Sequence, residues 1–327
     1  MKKHKHTKDL VFFAIILILV LVMLYSGLQI LESTVLYHGQ GEEPVDSKTV
    51  VVDGISYFPR QDITVVLVMG IDQYGPAAGS GFYTNPGAAD VDILVIFDEV
   101  SQKINMLYLN RDTMLEMPVL GVGGKKAGTY YGQLALAHTY GSGLQDSCEN
   151  TREAISEFLG GIQIDYYVSM NMDAIAIMND AVGGVTVNVT EDFSEVDPSI
   201  TMGQLTLRGE QAINYVRTRK DVGDQLNLTR IQRQKEYILG FSDALRDKQQ
   251  TDAGFVLSVY GDVEPYTVTD CTTKVLNSLA NKYANYEMGQ IVSPEGENVM
   301  GEKYFEFYVD EEKLFDTVLE LFYAPKE

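Results

Sequence analysis

The sequence predicts an α/β protein: an α-β-α sandwich with a mixed central sheet, preceded by a single N-terminal transmembrane helix. Two observations support this prediction. Residues 10–31 form a long apolar run without a charged residue, and from residue 61 apolar, β-branched runs alternate with helical patterns. The predicted organisation is a cytoplasmic tail (1–9), a transmembrane helix (10–31), an extracytoplasmic stalk (32–60) and one extracytoplasmic domain (61–327).

The N-terminal helix is predicted from the run Leu10–Leu31. A helix needs about 20 apolar residues to cross the hydrocarbon core of a bilayer, and this run is long enough. The alternative is a cleaved signal peptide, which would have a shorter apolar stretch followed by a small-residue cleavage site. The four lysines within residues 1–9 favour a cytoplasmic N-terminus, which places the rest of the chain outside the cytoplasm.

The stalk is predicted from the polar, irregular composition of residues 32–60. In the domain that follows, the run ITVVLVMG at 63–70 is typical of a strand buried on both faces. Further strands are predicted at 92–97, 104–109, 166–170, 183–189 and 304–309, and helices at 150–159, 172–181, 207–215, 228–245, 272–286 and 311–321.

Composition narrows the range of partners. The chain carries a formal net charge of −21, which argues against general binding of nucleic acid and against polyanionic ligands unless arginines are concentrated locally. The two cysteines, Cys148 and Cys271, are compatible with a disulfide outside the cytoplasm or with two free thiols. Neither cysteine has the spacing of a zinc site.

Acidic side chains follow or precede the predicted strands at positions where α/β proteins place their sites. Asp72 follows the first buried strand, and Asp90 and Asp92 enter the next one on a shared face. Such carboxylates suit a hard divalent cation, with water and phosphate oxygens as the remaining ligands. The alternative for Asp72 is a turn or helix-capping aspartate.

Arginines complete the candidate site. Arg111 follows the third strand, and a basic run from Arg217 to Gln234 stands out in an acidic chain. Arg230 and Gln234 are four residues apart and share a helix face. Arginine binds phosphate through paired hydrogen bonds, so carboxylates and arginines together indicate a metal-bound pyrophosphate site. The alternative for the basic helix is a solvated face. His138 is interpreted as a structural residue or as one that supports the residues of the site.

The order of these motifs resembles the LytR-CpsA-Psr family. The resemblance extends from about residue 61 to about residue 245, and the residues beyond fit it only in general layout. The motifs are GID (70–72), AD (89–90), NRDT (110–113), YG (131–132), DYYVSMN (165–171), GGV (183–185), LRGEQAINYVRTR (207–219) and RIQRQ (230–234).

The resemblance implies a phosphotransferase that moves a glycopolymer, such as teichoic acid or capsule, from an undecaprenyl-pyrophosphate carrier to peptidoglycan at the bacterial cell membrane, with Mg²⁺ bridging the pyrophosphate. By position, Asp72 and Asp90 match the metal-binding carboxylates, and Asp90 could also accept the proton of the acceptor hydroxyl. The catalytic set is Asp90, Arg111, Arg217 and Arg219, and the substrate-binding set is Gln133, Arg230 and Gln234.

Four positions depart from the family pattern. Ala88 and Gln133 stand where an arginine and a lysine are usual, Asn110 replaces a proline, and Asn227 replaces an aspartate. The changes remove two positive charges and one negative charge from the expected site. Two other functions therefore stay open: a non-catalytic scaffold that binds polyprenyl pyrophosphate, and a hydrolase that uses water as the acceptor.

Overall fold

The computed structural model describes residues 49–325, apart from residues 122, 224–226, 253–254 and the pairs 273–274, 276–277, 280–281 and 284–285. The predicted cytoplasmic tail, the transmembrane helix and the stalk up to residue 48 lie outside these residues. None of the helices that the structure describes is long and apolar enough to cross a membrane.

In the described part of the chain, seven strands precede the first α-helix, and strands and α-helices are interspersed after it. Helical residues also occur between 275 and 283. The strands are β1 (Val50–Val52), β2 (Ile55–Pro59), β3 (Ile63–Ile71), β4 (Ala89–Asp98), β5 (Lys103–Leu109), β6 (Met114–Leu120), β7 (Lys126–Gln133), β8 (Tyr166–Asn171), β9 (Val185–Val189), β10 (Gly203–Leu207), β11 (Thr267–Thr269), β12 (Glu287–Val292), β13 (Gly296–Met300), β14 (Phe305–Val309) and β15 (Tyr323–Pro325). The α-helices are α1 (Gln145–Phe158), α2 (Met172–Ala181), α3 (Glu210–Arg217), α4 (Asn227–Thr251), α5 (Phe255–Val263) and α6 (Glu311–Phe322).

The central sheet has six strands in the order β11-β8-β3-β4-β5-β12. β3 pairs in parallel with β8 and antiparallel with β4, and β5 pairs antiparallel with β4 and in parallel with β12. The sheet is therefore mixed, as predicted. Because β4 runs against β3 and β5, the start of β4 lies at the same edge as the ends of its two neighbours.

Both faces of the sheet are covered, which confirms the sandwich. Alternate side chains on β3 divide between the faces, because successive residues of a strand point in opposite directions. Val65 and Leu67 pack with Ile155 of α1 and Val318 of α6. On the other face, β-strand side chains pack with Ile231 of α4 and with Leu279 and Tyr283. A neighbouring cluster joins α2, α3, α4 and α5 to the hairpin β9–β10.

Several predicted boundaries differ from the structure. The helix predicted at 150–159 begins at Gln145, and the helix predicted at 228–245 ends at Thr251. Residues 50–59, predicted as the end of the stalk, form β1 and β2, and β2 pairs with β15 near the C-terminus. The predicted helix 207–215 begins later, at Glu210, because Leu207 ends β10 and pairs with Val185. Gly209, with a φ of 49°, separates that strand from the helix.

Candidate functional site

The predicted site residues meet at one edge of the central sheet. Asp72 follows the end of β3, Asp90 lies at the start of β4, and Arg111 follows β5. Arg217 is the last residue of α3, and Arg230 lies in the first turn of α4. The convergence of these five residues from separate elements confirms that the motifs belong to one region of the fold.

Asp90 is the centre of a buried ion-pair cluster. Its side chain is 7% exposed, and Arg230, which is 2% exposed, contacts it at 3.0 Å. Arg230 also donates to the Asp90 carbonyl oxygen at 2.7 Å, and Arg111 pairs with the second carboxylate oxygen. Burial lowers the pKa of Arg230, while the charge of Asp90 opposes this shift. Removing one member would leave an uncompensated buried charge.

Asp112 organises a second group of ion pairs beside the first. It is fully buried, pairs with Arg219, and lies 3.5 Å from Nε of Arg111. The Gln133 side-chain amide donates to Asp112 at 3.0 Å. Burial raises the pKa of the Asp112 carboxyl, and Arg219 is the strongest opposing influence. Arg111 thus bridges Asp90 and Asp112 and connects the two groups.

The Asp72–Arg217 pair is the accessible part of the site. Nε of Arg217 lies 2.9 Å from the Asp72 carboxylate, and the two side chains are 40% and 32% exposed. The hydrogen bond with Asp72 raises the pKa of Arg217. The Arg217 guanidinium also lies 5.8 Å from the centroid of the Tyr74 ring. This arginine can exchange its carboxylate partner for a ligand without breaking buried contacts.

Asp72 and Asp90 are the carboxylates that the sequence predicts as metal ligands. The Asp72 amide donates to the carbonyl of Ala88 at 2.9 Å, which draws the two segments together. Within the described residues, no group of three acidic, histidine or cysteine side chains is arranged to hold a metal ion. Magnesium commonly uses one or two carboxylates together with substrate phosphates and water, so this donor set fits a metal that arrives with a phosphorylated substrate.

Two of the departures from the family pattern are partners in the structure. Asn227 donates to the side-chain oxygen of Asn110 at 2.6 Å, and the same oxygen accepts from the Asp112 amide at 3.0 Å. Both asparagines are buried. An uncharged amide at each position therefore forms a matched pair that holds the Asp112 loop against the start of α4.

A largely apolar cavity of about 150 Å³ lies beside the ion-pair cluster. Gln234, which donates to the Val216 carbonyl at 3.0 Å, is among its lining residues, as is Val91, the neighbour of Asp90. The cavity therefore adjoins the arginines. Its lining residues are Val68, Met69, Gly70, Val91, Ile93, Val95, Met106, Tyr108, Met170, Ile175, Met178, Val216, Gln234, Tyr237, Ile238 and Phe241.

Other polar residues of the described chain have structural roles. Arg233 lies in the basic run, but it is buried and bonds Glu191 and the Tyr215 carbonyl, away from the site carboxylates. Cys148 and Cys271 are free thiols, and burial raises the pKa of each to about 12. The structure thus favours the second of the two alternatives for the cysteines.

The cavity is the functional feature that sequence reasoning missed. Its apolar residues come from β3, β4, β5, β8 and three helices, and each also fits an ordinary core position. No local pattern distinguishes a residue that lines a cavity from one that fills a core. The glutamine at 234 is the nearest signal, because it places a polar group on the buried face of α4.

Comparisons with known proteins identify the family of this chain. The family model described as "LytR_cpsA_psr family" matches residues 27–321. The protein named polyisoprenyl-teichoic acid–peptidoglycan teichoic acid transferase TagU from Oceanobacillus iheyensis is 27% identical over 254 residues, covering 76% of this chain and 72% of that protein.

Solved structures show the same fold. The crystal structure of Bacillus subtilis TagT aligns with a TM-score of 0.56 at 24% identity, covering 80% of this chain and 90% of that chain. A structure described as TagT bound to LI-WTA aligns with a TM-score of 0.58 at 24% identity and the same coverage. The family model matches residues 27–321, which is most of this chain, and the chain therefore belongs to the LytR_cpsA_psr family.

Proposed function

We propose that this protein transfers an anionic glycopolymer from an undecaprenyl-pyrophosphate carrier to peptidoglycan and forms a phosphodiester. The observation that carries the proposal is the contact between an apolar cavity and a cluster of four arginines at one sheet edge. An amphipathic substrate with a long apolar chain and a pyrophosphate needs both parts. The name of the TagU relative and the LI-WTA bound in the TagT complex support the choice of polymer and acceptor.

The arginines supply the charge that such a substrate requires. Arg111, Arg217, Arg219 and Arg230 now pair with three carboxylates, so the cluster is close to neutral before a ligand binds. A pyrophosphate would take over some of these pairs, and the arginines would keep their positions because the carboxylates have already oriented them. Phosphoryl transfer depends mainly on such positioning and on neutralising charge.

The proposed reaction balances without another reactant. The acceptor hydroxyl oxygen attacks the phosphorus that carries the glycopolymer, and a new O–P bond forms. The bond from that phosphorus to the bridging oxygen breaks, and polyprenyl phosphate leaves with the electron pair. Asp90, at the centre of the cluster, is the proposed acceptor of the hydroxyl proton.

Magnesium is part of the proposal. Asp72 and Asp90 would supply its protein ligands, since hard carboxylate oxygens suit this ion and their backbone segments are joined by a hydrogen bond. The ion would neutralise charge on the pyrophosphate. Removal of magnesium with EDTA is expected to stop transfer, and transfer that continues at the same rate in EDTA would refute the assignment of Asp72 and Asp90.

The predicted transmembrane helix gives the proposed function its location. An undecaprenyl carrier stays in the bilayer, so the enzyme must act at the outer surface of the membrane. The helix at 10–31 and the chain up to residue 48 would confine the site to that layer, where the effective concentration of substrate is high. Turnover of a membrane-bound donor should therefore exceed that of a soluble analogue.

One reaction separates this function from the two alternatives. The full chain, in bilayer nanodiscs, is incubated with a polyprenyl-pyrophosphate glycan, magnesium and peptidoglycan. Covalent attachment of the glycan to peptidoglycan supports transfer. Release of free glycan phosphate alone supports hydrolysis, whereas donor binding without turnover supports a scaffold.

The arginine assignment is tested in the same reaction. Arg217→Ala and Arg111→Ala should each reduce turnover by about 10²–10³-fold, the typical effect of removing one group that stabilises developing charge. Arg217→Ala should leave the fold intact, because that side chain is 40% exposed. Arg208→Ala, at an exposed arginine near the start of α3, is the matched control. Unchanged turnover in both site variants would refute the assignment.

A further inference from the structure

A groove with a volume of about 660 Å³ lies on the side of the sheet that α1 and α6 cover. Hairpin β6–β7, strand β14 and helices α1 and α6 form its walls. Leu115, Leu314 and Val318 contribute a buried apolar surface. Tyr131, Tyr308 and Phe315 also line it and are 52%, 41% and 43% exposed. We call this surface the aromatic groove.

The aromatic groove is linked to the ion-pair cluster through the segment that contains Asp112. Met114 lines it and is two residues from Asp112. The Phe307 amide, next to Tyr308, donates to the Asp112 carbonyl at 2.8 Å. The side chain of Gln133 donates both to Asp112 at 3.0 Å and to the Phe305 carbonyl at 2.7 Å. Strand β14 is thus attached to the segment that orients the arginines.

Tyr131 of β7 lies on the side of its strand that faces these hydrogen bonds. Tyr131 and Gln133 are two residues apart in one strand, so their side chains leave the same face. A ligand that lies across Tyr131 and Tyr308 would therefore extend toward Gln133 and the arginines. A chain bound there could present a hydroxyl group at the site where the pyrophosphate is proposed to bind.

The charge of the aromatic groove restricts its occupant. Its acidic lining residues are Glu116, Glu157 and Glu311, and none of the described residues that line it is an arginine, lysine or histidine. A polyanionic polymer would be repelled. Exposed aromatic rings beside an apolar floor instead suit the flat apolar faces of sugar rings.

We propose that the aromatic groove binds the amino-sugar glycan strand of the acceptor peptidoglycan. The proposal rests on the proposed function for the identity of the acceptor, and it adds the surface that positions that acceptor. The anionic glycopolymer of the donor is excluded from the groove by charge. The groove would therefore bind the neutral sugar chain of the acceptor and reject the charged polymer that is transferred to it.

The test measures sugar binding without turnover. The full chain in nanodiscs is titrated with a neutral β-1,4-linked N-acetylglucosamine hexamer and, separately, sedimented with insoluble peptidoglycan stripped of teichoic acid. The double variant Tyr131→Ala/Tyr308→Ala should weaken both interactions about tenfold, a size expected for loss of two aromatic contacts. Tyr304→Ala, at a residue that is 65% exposed and does not line the groove, should bind as the unchanged protein does.

A second variant tests charge and does not depend on removing aromatic rings. Glu116→Lys should allow binding of polyglycerol phosphate, which the unchanged groove should reject. Equal sugar binding by the double variant and the unchanged protein would overturn the proposal, as would binding of polyglycerol phosphate that requires Tyr131 and Tyr308. Absence of transfer alongside groove-dependent sugar binding would overturn the proposed function while supporting this one.

Discussion

The two faces of the central sheet contain similar apolar residues but differ in how completely they are filled. On the face covered by α1 and α6, residues such as Leu67, Ile96 and Ile155 are 0% exposed and pack into one cluster. On the face covered by α2, α3 and α4, a cavity of about 150 Å³ remains between the strands and the helices. We call these the filled face and the open face.

The difference shows how one sheet can both support a site and hold a ligand. The filled face packs the residues that lead into the ion-pair cluster, including Ile71 before Asp72 and Leu109 before Arg111. The open face keeps an unfilled volume beside the same arginines. Close packing leaves few voids in most protein interiors, so a retained cavity next to charged groups indicates a binding function.

The largest expected effect comes from placing the same larger side chain on each face of β3. Val65→Phe on the filled face should lower the free energy of unfolding by about 3 kcal/mol, because overpacking forces neighbouring side chains out of their rotamers. Val68→Phe on the open face places the ring in the cavity, so it should lower the free energy of unfolding by less than about 1 kcal/mol. Urea unfolding of the full chain measures both.

Val68→Phe should also reduce binding of polyprenyl phosphate, because the new ring occupies part of the cavity. Val65→Phe is the matched control for this measurement, since it lies on the same strand and faces away from the cavity. Equal destabilisation by the two substitutions would show that the open face is as tightly packed as the filled face. The comparison of the faces would then be wrong.

A smaller effect is expected at Asp92, the polar exception within the filled face. It is fully buried beside Met69 and Leu109, and neither carboxylate oxygen has a hydrogen-bond partner in the described structure. Asp92→Leu should therefore raise the free energy of unfolding at pH 7 by about 2 kcal/mol, the typical cost of burying a polar group without a hydrogen bond.

The effect of Asp92→Leu on the free energy of unfolding should depend on pH. Burial raises the pKa of Asp92 well above its ordinary value. As pH rises above about 4, Asp92 loses its proton in the unfolded chain but keeps it in the folded protein. The free energy of unfolding therefore decreases as pH rises through this range. The advantage of Asp92→Leu should grow between pH 4 and pH 7. An advantage that does not change with pH would contradict this account.

The smallest effect concerns His138, which is buried on the filled face and whose Nδ1 lies 2.7 Å from the Gly87 carbonyl. Burial lowers the pKa of His138, so below pH 6.5 the unfolded state takes up a proton that the folded state resists. The free energy of unfolding should fall as pH decreases through that range, and it should fall less for His138→Gln than for the unchanged protein. Urea unfolding at pH 7.5 and pH 5.5 compares the two proteins, and equal losses would contradict the prediction.

Much of the fold was predictable because local patterns agreed with it. The run at 63–70 contains residues suited to a strand buried on both faces, and α2 matches its predicted bounds of 172–181. The hairpin β6–β7 was not predicted, because KAGTYYGQ is mostly exposed and lacks apolar alternation. The hairpin is held instead by the pairing of β6 with β7 and by Gln133, which bonds residues far away in sequence.

The sequence by itself determined the α/β class, the acidic character of the domain and the residue types of the site. It predicted Asp72, Asp90, Arg111, Arg217 and Arg230 as members of one site, because each lies at the end of a strand or on a basic helix. It could not assign their partners. Only the tertiary structure decided that Arg111 bridges two carboxylates, that Arg233 is structural, and that a cavity adjoins the arginines. Ion pairs and cavities depend on distances between elements that are remote in sequence, and those distances exist only once the sheet and its helices have packed.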